Sequence, residues 1–193
     1  TAKALTATAS ASNKVYDGSS AATVTLSLSG FIGSETVTST NSSTFSDKNV
    51  ATGKTVTVNS ITLADGSNGG LATNYSISTG QTTTANITVK SLTVSGITAS
   101  NKTYDSTTST TLGTGTVSYG GLVSGDDFAA SYSGVFTNAN VGTGKTVNIT
   151  SSYSGADVNN YTVTDQSTTT ANITAKALTA TASASNKVYD GSS

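Results

Sequence analysis

The last twenty residues of the chain repeat the first twenty letter for letter. Residues 174–193 read TAKALTATASASNKVYDGSS, as do residues 1–20, at an offset of 173 residues. A match of this length does not arise by chance, so we expect the chain to be an excerpt from a tandem array. Such an array gains length by copying a folded unit, which constrains the fold more than any local motif does.

A shorter period lies inside the first. The segment TTTANIT occupies Thr82–Thr88 and recurs at Thr168–Thr174, 86 residues later. A module of about 86 residues can bury one small core, whereas solenoid repeats usually have about 20–45 residues. The sequence therefore predicts one β module at residues 1–89 and an unlike one at 90–175. Residues 176–193, which repeat residues 3–20, are predicted to be the first strands of a further module.

Composition excludes several function classes. The chain contains no Cys, His, Arg, Pro, Met or Trp. Without His, no nucleophile–base pair can be assembled, and the commonest metal ligand is missing. The net charge of −1 offers no basic patch for nucleic acid, and no apolar run is long enough to span a membrane. We therefore predict no enzyme activity, no cofactor, no metal site, no nucleic-acid partner and no membrane span in this segment.

Polar and apolar residues alternate along much of the chain, as half-buried strands require. The alternation is clear in residues 23–28, 54–63, 74–77 and 85–89. No window shows the apolar spacing of a helix. The chain is therefore predicted to be all-β with little or no helix, as tandem small β-sandwiches of the immunoglobulin-like type, or alternatively as β-grasp-like sheets. The alternation argues against a disordered Ser/Thr-rich stalk.

The core and the connection between the modules follow from the same pattern. The predicted core of the first module consists of small aliphatic residues with two tyrosine anchors: Leu26, Leu28, Val56, Val58, Ile77, Ile87, Tyr16 and Tyr75. The strand that ends near Val89 runs into Lys90 without a Gly/Ser linker. A strand that continues between domains leaves little hinge freedom, so we expect a stiff connection.

Two short motifs recur in register. The first is Tyr-Asp-Gly, in which we expect a buried tyrosine, a turn closed by the aspartate and a glycine with positive φ. The second is an Asn-Tyr pair that begins a later strand. The predicted motif residues are Tyr16, Asp17, Gly18, Tyr104, Asp105, Tyr189, Asp190, Gly191, Asn74, Tyr75, Asn160 and Tyr161. Ser106 replaces the glycine in the second copy, which puts a uniform loop geometry in doubt.

The order of these motifs resembles the YDG repeat domain. The shared motifs are Lys-x-Leu-Thr, Lys-x-Tyr-Asp-Gly, Asn-Val-x-Thr-Gly-Lys and Asn-Tyr-x-Ile/Val, and they cover both modules nearly end to end. That family occurs in tandem in large bacterial surface proteins, including filamentous haemagglutinin-like adhesins. The resemblance implies an extracellular location on the bacterial cell surface. It also implies a non-catalytic structural role in an adhesin stalk, a surface fibre or a biofilm.

Other functions remain open from the sequence. A glycan- or self-binding module is the alternative, with Tyr119, Tyr132 and Tyr153 as an exposed platform. The expected partners are therefore neighbouring copies of the repeat and, in the alternative, host or matrix glycans. Strand complementation between copies is a further form of self-association. The loop at Asp65 and the pair Asp126-Asp127 are weak calcium candidates. Lys3, Lys90 or Lys176 with Asn86 or Asn172 are weak candidate pairs for an isopeptide bond.

Overall fold

The computed structural model describes residues 1–192, and the regular structure within them is almost entirely β-strand. The exceptions are two one-turn 3-10 segments, Ala72–Asn74 and Val158–Asn160. The prediction of an all-β chain is confirmed. Within the described residues, no helix has the length and apolar character that a membrane crossing needs.

The strands fall into two similar sets, one in each half of the chain. The first half contains β1 Lys3–Ala4, β2 Thr6–Ala11, β3 Lys14–Val15, β4 Ala21–Ala22, β5 Val24–Ser29, β6 Val37–Phe45, β7 Ala51–Asp65, β8 Tyr75–Ser76 and β9 Thr82–Thr88. The second half contains β10 Lys90–Ser95, β11 Thr98–Ala99, β12 Lys102–Thr103, β13 Ser109–Thr110, β14 Leu112–Gly113, β15 Ser118–Gly120, β16 Ala129–Phe136, β17 Gly142–Ser154, β18 Tyr161–Thr164 and β19 Thr168–Thr174.

Each half builds one five-stranded sheet and smaller sheets. The five-stranded sheets have the orders β3-β9-β7-β6-β4 and β12-β19-β17-β16-β13. The smaller sheets are β1-β8 and β2-β5 in the first half, and β15-β10-β18 and β11-β14 in the second. Pairs β1–β8, β3–β9, β10–β18 and β12–β19 are parallel. Immunoglobulin-like sandwiches are antiparallel, so the immunoglobulin-like arrangement is not confirmed.

The chain divides into two compact units that differ from the predicted modules. Unit 1 comprises Thr1–Gly96, Val117–Ser131 and Ser151–Gln166. Unit 2 comprises Ile97–Thr116, Tyr132–Thr150 and the chain from Ser167 onward. We keep the names module 1 for residues 1–89 and module 2 for residues 90–175, as the sequence repeat defines them. Unit 1 thus holds all of module 1 together with three segments of module 2.

The core follows the predicted alternation. In module 1, Val56, Val58 and Ile87 are buried on the inner face of the five-stranded sheet, and Tyr16 and Tyr75 are buried as well. The predicted core residues Leu26, Leu28 and Ile77 are half-buried. In unit 2, the core cluster is Phe136, Val147, Ala171 and Ile173. Burying a valine or isoleucine side chain contributes about 1.5–3 kcal/mol, so these few residues supply most of each core.

Residues 175–192 form no strand, although residues 2–19 have the identical sequence and form three. Strands β1, β2 and β3 pair with β8, β5 and β9. Those partners lie outside residues 1–20, so the repeated segment contains no counterpart of them. Leu178, Val188 and Tyr189, whose counterparts lie in these three strands or directly after them, are almost fully exposed. The conformation of this segment is therefore set by its pairing partners, because a short strand is not stable alone.

This difference predicts opposite effects for two deletions of the same sequence. Deleting residues 175–193 is expected to change the free energy of unfolding by no more than about 0.5 kcal/mol, because residues 175–192 make no strand pairing. Deleting residues 2–20 is expected to abolish the cooperative unfolding of unit 1, because it removes β1, β2 and β3. Differential scanning calorimetry of the two shortened chains provides the measurement. Equal shifts of the unfolding temperature would contradict the structure.

Candidate functional site at the junction between the modules

The first Tyr-Asp-Gly element forms a turn that is closed by a lysine. The Lys14 ammonium donates to Asp17 Oδ1 at 2.7 Å and to the carbonyl oxygen of Ser19 at 2.7 Å. The same carboxylate oxygen accepts from the backbone N–H of Ser19 at 2.9 Å. Gly18 has φ +79°, a conformation that glycine adopts without steric cost. The turn is therefore satisfied by groups within six consecutive residues.

The second copy has the same geometry despite its serine. Lys102 lies 2.7 Å from Asp105 Oδ1, which also accepts from the N–H of Thr107 at 2.9 Å. Ser106 has φ +64°, so it takes the left-handed conformation of the glycine that it replaces. The Lys102 ammonium and the bonds from Thr107 lower the pKa of Asp105 to about 2. The doubt about a uniform loop geometry is thus removed for the backbone.

The third copy lies in the strandless segment and still forms the turn. Lys187 lies 2.9 Å from Asp190 Oδ1, and the N–H of Ser192 donates to the same oxygen at 3.0 Å. Gly191 has φ +77°. No strand of this segment holds the turn in place. Local bonds alone therefore preform the element that presents the motif tyrosine.

The side chain of Tyr16, which directly precedes the turn residues Asp17 and Gly18, contacts module 2 within unit 1. Its side chain is 1% exposed, and its hydroxyl lies 2.9 Å from both carboxylate oxygens of Asp126. The hydroxyl of Tyr161 donates to the same carboxylate at 2.5 Å and accepts from the N–H of Val123 at 2.9 Å. The two tyrosine rings meet edge to face with centroids 5.5 Å apart. The motif tyrosine is therefore buried by the other module.

A lysine of module 1 joins two carboxylates of module 2. Lys48 Nζ lies 3.1 Å from Asp126 Oδ1 and 2.8 Å from Asp157 Oδ1. The side chain of Asp126 is 3% exposed, so its charge is almost removed from water. Two neighbouring carboxylates repel each other and are costly to bury, and the ammonium between them compensates for this. The Lys48 ammonium also lies 5.9 Å from the centroid of the Tyr16 ring. We call Tyr16, Lys48, Asp126, Asp157 and Tyr161 the junction cluster.

Backbone and small residues complete the contact. Asn160 Oδ1 accepts from the N–H of Val50 at 2.9 Å, and Asn160 Nδ2 donates to Asn49 Oδ1 at 3.2 Å. A Cβ atom added at Gly18 would lie 2.7 Å from Val123 Cγ1. Glycine is thus favoured at position 18 by its positive φ and by the close approach of module 2. These contacts hold three separate points of module 1 against module 2.

The ionisation of the cluster follows from its burial and bonding. Burial, and then the carboxylate of Asp126, raises the pKa of Tyr161 to about 12. Burial alone would raise the pKa of Asp126, but the bonds from Tyr161, Tyr16 and Lys48 outweigh it and lower that pKa. The Lys48 ammonium lowers the pKa of Asp157, and the two carboxylates in turn raise the pKa of Lys48. At neutral pH, the cluster therefore holds two carboxylates, one ammonium and two neutral phenols.

A second aromatic layer lies behind the cluster. The ring centroid of Phe128 is 5.6 Å from that of Tyr119, 5.5 Å from that of Tyr153 and 6.0 Å from that of Tyr161. Tyr119, Tyr132 and Tyr153 are half-buried. These three tyrosines are thus less exposed than the sequence predicted, and glycan binding by them stays a prediction. Tyr119 and Tyr153 pack against Phe128, which in turn packs against Tyr161 of the junction cluster.

The predicted motif residues thus differ in their surroundings. Tyr16, Asn160 and Tyr161 meet in the junction, and Tyr75 is buried within module 1. Asn74 is exposed, Tyr104 is 39% exposed and Tyr189 is 93% exposed. Asp17, Asp105, Asp190 and Gly191 build the turns rather than the contact itself, whereas Gly18 also lies close to Val123 of module 2.

Sequence reasoning missed Lys48, Asp126 in this role, and Asp157. One signal could have found them, because the modules differ at these positions when their motifs are aligned. Ala139 corresponds to Lys48, Glu35 to Asp126, and Leu71 to Asp157. Positions that differ between otherwise matching modules are candidates for contacts made by only one of them.

The calcium candidate Asp65 and the isopeptide candidates Lys3 and Asn86 take part in ordinary structural contacts. Asp65 Oδ1 accepts from the N–H of Ala72 at 2.7 Å and closes its own loop. In residues 1–192, no group of three or more His, Cys, Asp or Glu residues is placed to hold a metal ion. Asn86 Oδ1 accepts from the N–H of Gly53 at 2.7 Å, and Lys3 lies on a different sheet, paired with Tyr75. The structure thus gives no geometry for an isopeptide bond between Lys3 and Asn86.

Fold and site together define a tandem repeat protein of all-β modules that are joined by a packed junction. A family model for the YDG domain matches residues 1–85 and again residues 88–171. Since these matches cover most of the chain, the protein belongs to the YDG domain family. No curated protein matches the chain. No solved structure matches it either.

The junction cluster predicts unequal effects for the same substitution in two motif copies. Tyr16→Phe removes a donor from the buried Asp126 carboxylate and is expected to destabilise unit 1 by about 1–3 kcal/mol. Tyr104→Phe, at the matched and more exposed position, is expected to change stability by no more than about 0.5 kcal/mol. Urea unfolding with hydrogen exchange at the Val50 amide provides the measurement. Equal costs for the two substitutions would show that the cluster does not depend on the Tyr16 hydroxyl.

The depressed carboxylate pKa values predict acid sensitivity. The folded pKa values of Asp126 and Asp157 lie below their ordinary values, so below about pH 4 the unfolded chain binds more protons than the folded one. Stability of unit 1 is therefore expected to be full above that range and to fall as pH falls through the folded pKa values. Asp157→Asn is expected to flatten this dependence. Urea titrations at pH 7, 4 and 3 of the unsubstituted and Asp157→Asn chains test this, and an unchanged acid slope in Asp157→Asn would contradict it.

Proposed function

We propose that the chain is a structural spacer repeat of a bacterial extracellular adhesin or surface fibre, with no catalytic role. The observation that carries the proposal is the junction cluster, which uses the motif tyrosine to fasten one module to the next within unit 1. An isolated binding module has no need for a buried contact to its neighbour. A spacer does, because its reach depends on limiting motion at each joint.

The connection between the modules supports the same function. Strand β9 ends at Thr88 and β10 begins at Lys90, so Val89 alone lies between them. A connection of one residue cannot act as a flexible linker. The buried contact and the short connection act together, because the connection limits the distance between the modules and the cluster limits their rotation.

The composition fits an extracellular spacer. Cys, Met, Trp and His are absent, which leaves few side chains open to oxidation or metal capture. Uncharged Ser and Thr make up more than a third of the residues and cover the outer faces of the strands. The family to which the chain belongs, together with the exact 173-residue repeat, supports a place in a long surface protein.

A spacer predicts that length grows in proportion to the number of repeats. Chains with one, two and three copies of residues 1–173 are expected to increase in maximum dimension by a constant step, about 60 Å from the size of two small domains. Small-angle X-ray scattering provides the measurement. A maximum dimension that grows far more slowly than the copy number would reject the spacer.

Antibodies against the repeat are expected to label intact producing cells, and labelling only after permeabilisation would reject the surface location.

A further inference from the structure

Module 1 carries a face that is built like the face of module 2 that receives Tyr16. The hydroxyl of Tyr75 donates to Glu35 at 2.7 Å and accepts from the N–H of Ile32 at 3.1 Å. Tyr161 makes the same two kinds of contact with the corresponding residues of module 2. In each module, a one-turn 3-10 segment leads directly into this tyrosine. The two faces are therefore two copies of one acceptor.

The acceptor face of module 1 is uncovered. The open cleft beside Tyr75 has a volume of about 420 Å³, and its side-chain lining includes Lys3, Ile32, Glu35, Asn74 and Tyr75. Ile32 is 53% exposed, and Leu71, which precedes the 3-10 segment, is 49% exposed. Ile32 and Leu71 stand at the positions of Val123 and Asp157, which module 2 uses in its contact with module 1.

Module 2 carries the matching donor end. Tyr104 stands on a turn with the same bonds and the same sign of φ as that of Tyr16, and it is 39% exposed. Val141 corresponds to Val50, whose N–H bonds across the first junction, and Val141 is 54% exposed. The aromatic and aliphatic groups that are covered in the first junction are thus present and uncovered at this end.

The covalent path at this end repeats that of the first junction. Strand β12 runs parallel to β19 in the register in which β3 runs parallel to β9. Strand β19 ends at Thr174, and Lys176, the counterpart of Lys3, follows after Ala175 alone. A second copy of module 1 joined here is therefore connected to module 2 through one residue, as module 2 is connected to module 1 through Val89.

We infer that the acceptor face of module 1 receives Tyr104 from module 2 of a preceding copy of the repeat, forming a second junction. In it, the Tyr104 hydroxyl bonds to Glu35 of the following copy, and the amide of Val141 meets Asn74. The inference rests on the proposed spacer function and extends it by naming the surfaces and the partner, a second copy of this chain. The precedent is the buried contact between Tyr16 and Asp126.

The second junction has different chemistry from the first. Ala139 stands where Lys48 supplies the ammonium, and Leu71 stands where Asp157 supplies a carboxylate. The ion pairs of the first junction are therefore replaced by an aliphatic contact between Leu71, Ala139 and their neighbours. The first junction is held by buried charge, whereas the second depends on apolar burial and a single carboxylate.

A steric difference accompanies the chemical one. Gly18 in the first junction approaches Val123 so closely that a Cβ would lie 2.7 Å from its Cγ1. The second junction brings Ser106, which has a Cβ, towards Ile32. Ile32 is free to rotate its exposed side chain, so the serine is accommodated by a rotamer change and not by parting of the modules.

The two chemistries are not interchangeable. A junction from module 2 to another module 2 would set Ala139 against Asp126 and Asp157, leaving two buried carboxylates without their ammonium. A junction from module 1 to another module 1 would set Lys48 against Glu35 and Leu71, so that one carboxylate replaces the two that Lys48 contacts in the first junction. The first wrong order leaves buried carboxylates without their ammonium and the second removes one of two ion pairs, so the faces favour alternation of the two modules.

The test uses a chain with residues 1–173 twice in succession followed by residues 1–20. The native sequence has no Cys, so pairs of introduced cysteines carry spin labels without background. Cysteines at the exposed positions Thr55 of module 1 and Thr162 of module 2 report the first junction within one copy. The exposed positions Thr146 of the first copy and Ser76 of the second report the second junction. Pulsed electron paramagnetic resonance is expected to give one narrow distance distribution for each pair.

Copy-specific substitutions decide the outcome. Tyr104→Ala in the first copy is expected to broaden the Thr146–Ser76 distribution, and the same substitution in the second copy, which has no complete module 1 after it, is expected to leave it unchanged. Glu35→Ala is expected to act only in the second copy, and Lys48→Ala is expected to broaden only the Thr55–Thr162 distribution. A broad Thr146–Ser76 distribution in the unsubstituted chain, or equal effects of Tyr104→Ala in both copies, overturns the second junction. A broad Thr55–Thr162 distribution instead counts against the spacer itself.

Discussion

The structure of unit 1 depends on one buried carboxylate. Asp126 is almost fully removed from water and takes bonds from Tyr16, Lys48 and Tyr161, which come from three separate parts of the chain. A carboxylate in such a site is tolerated only while its donors are in place. The modules therefore cannot slide past each other by small steps, because any shift that lengthens one of these bonds leaves charge without compensation.

The Tyr-Asp-Gly turn lowers the conformational entropy that is lost when this contact forms. Lys14, Asp17 and Ser19 satisfy one another locally, and the same bonds are present at residues 187–192 without any strand to hold them. The tyrosine is thus presented in a fixed direction before it meets its acceptor. Less conformational entropy is lost on docking when one side is already ordered. In the first copy, the motif is accordingly a docking element, in which Lys14, Asp17 and Gly18 build the turn and Tyr16 makes the contact.

The sequence predicted the strands better than the contacts. Period-2 alternation identified the inner faces of β7 and β9, where Val56, Val58 and Ile87 are buried, because alternation reflects a local property of the backbone. It could not identify which copy of a repeated segment would pair, since residues 2–19 form three strands and identical residues 175–192 form none. The junction cluster was missed for a related reason. Tyr16 and Asp126 are 110 residues apart, and nothing local to either indicates the other.

The pairing of unlike modules has a physical rationale in the folding of tandem arrays. Neighbouring domains of identical sequence can exchange strands during folding, and misassembly of this kind is characteristic of repeat proteins. Here the exact copy of each module lies one full repeat away, and an unlike module stands between. The second junction that we infer would reinforce this separation, because a donor that carries Lys48 fits an acceptor with two aspartates and a donor that carries Ala139 fits one with Leu71. Under that inference, the 173-residue repeat can be copied in tandem while each module meets the neighbour whose face matches its own.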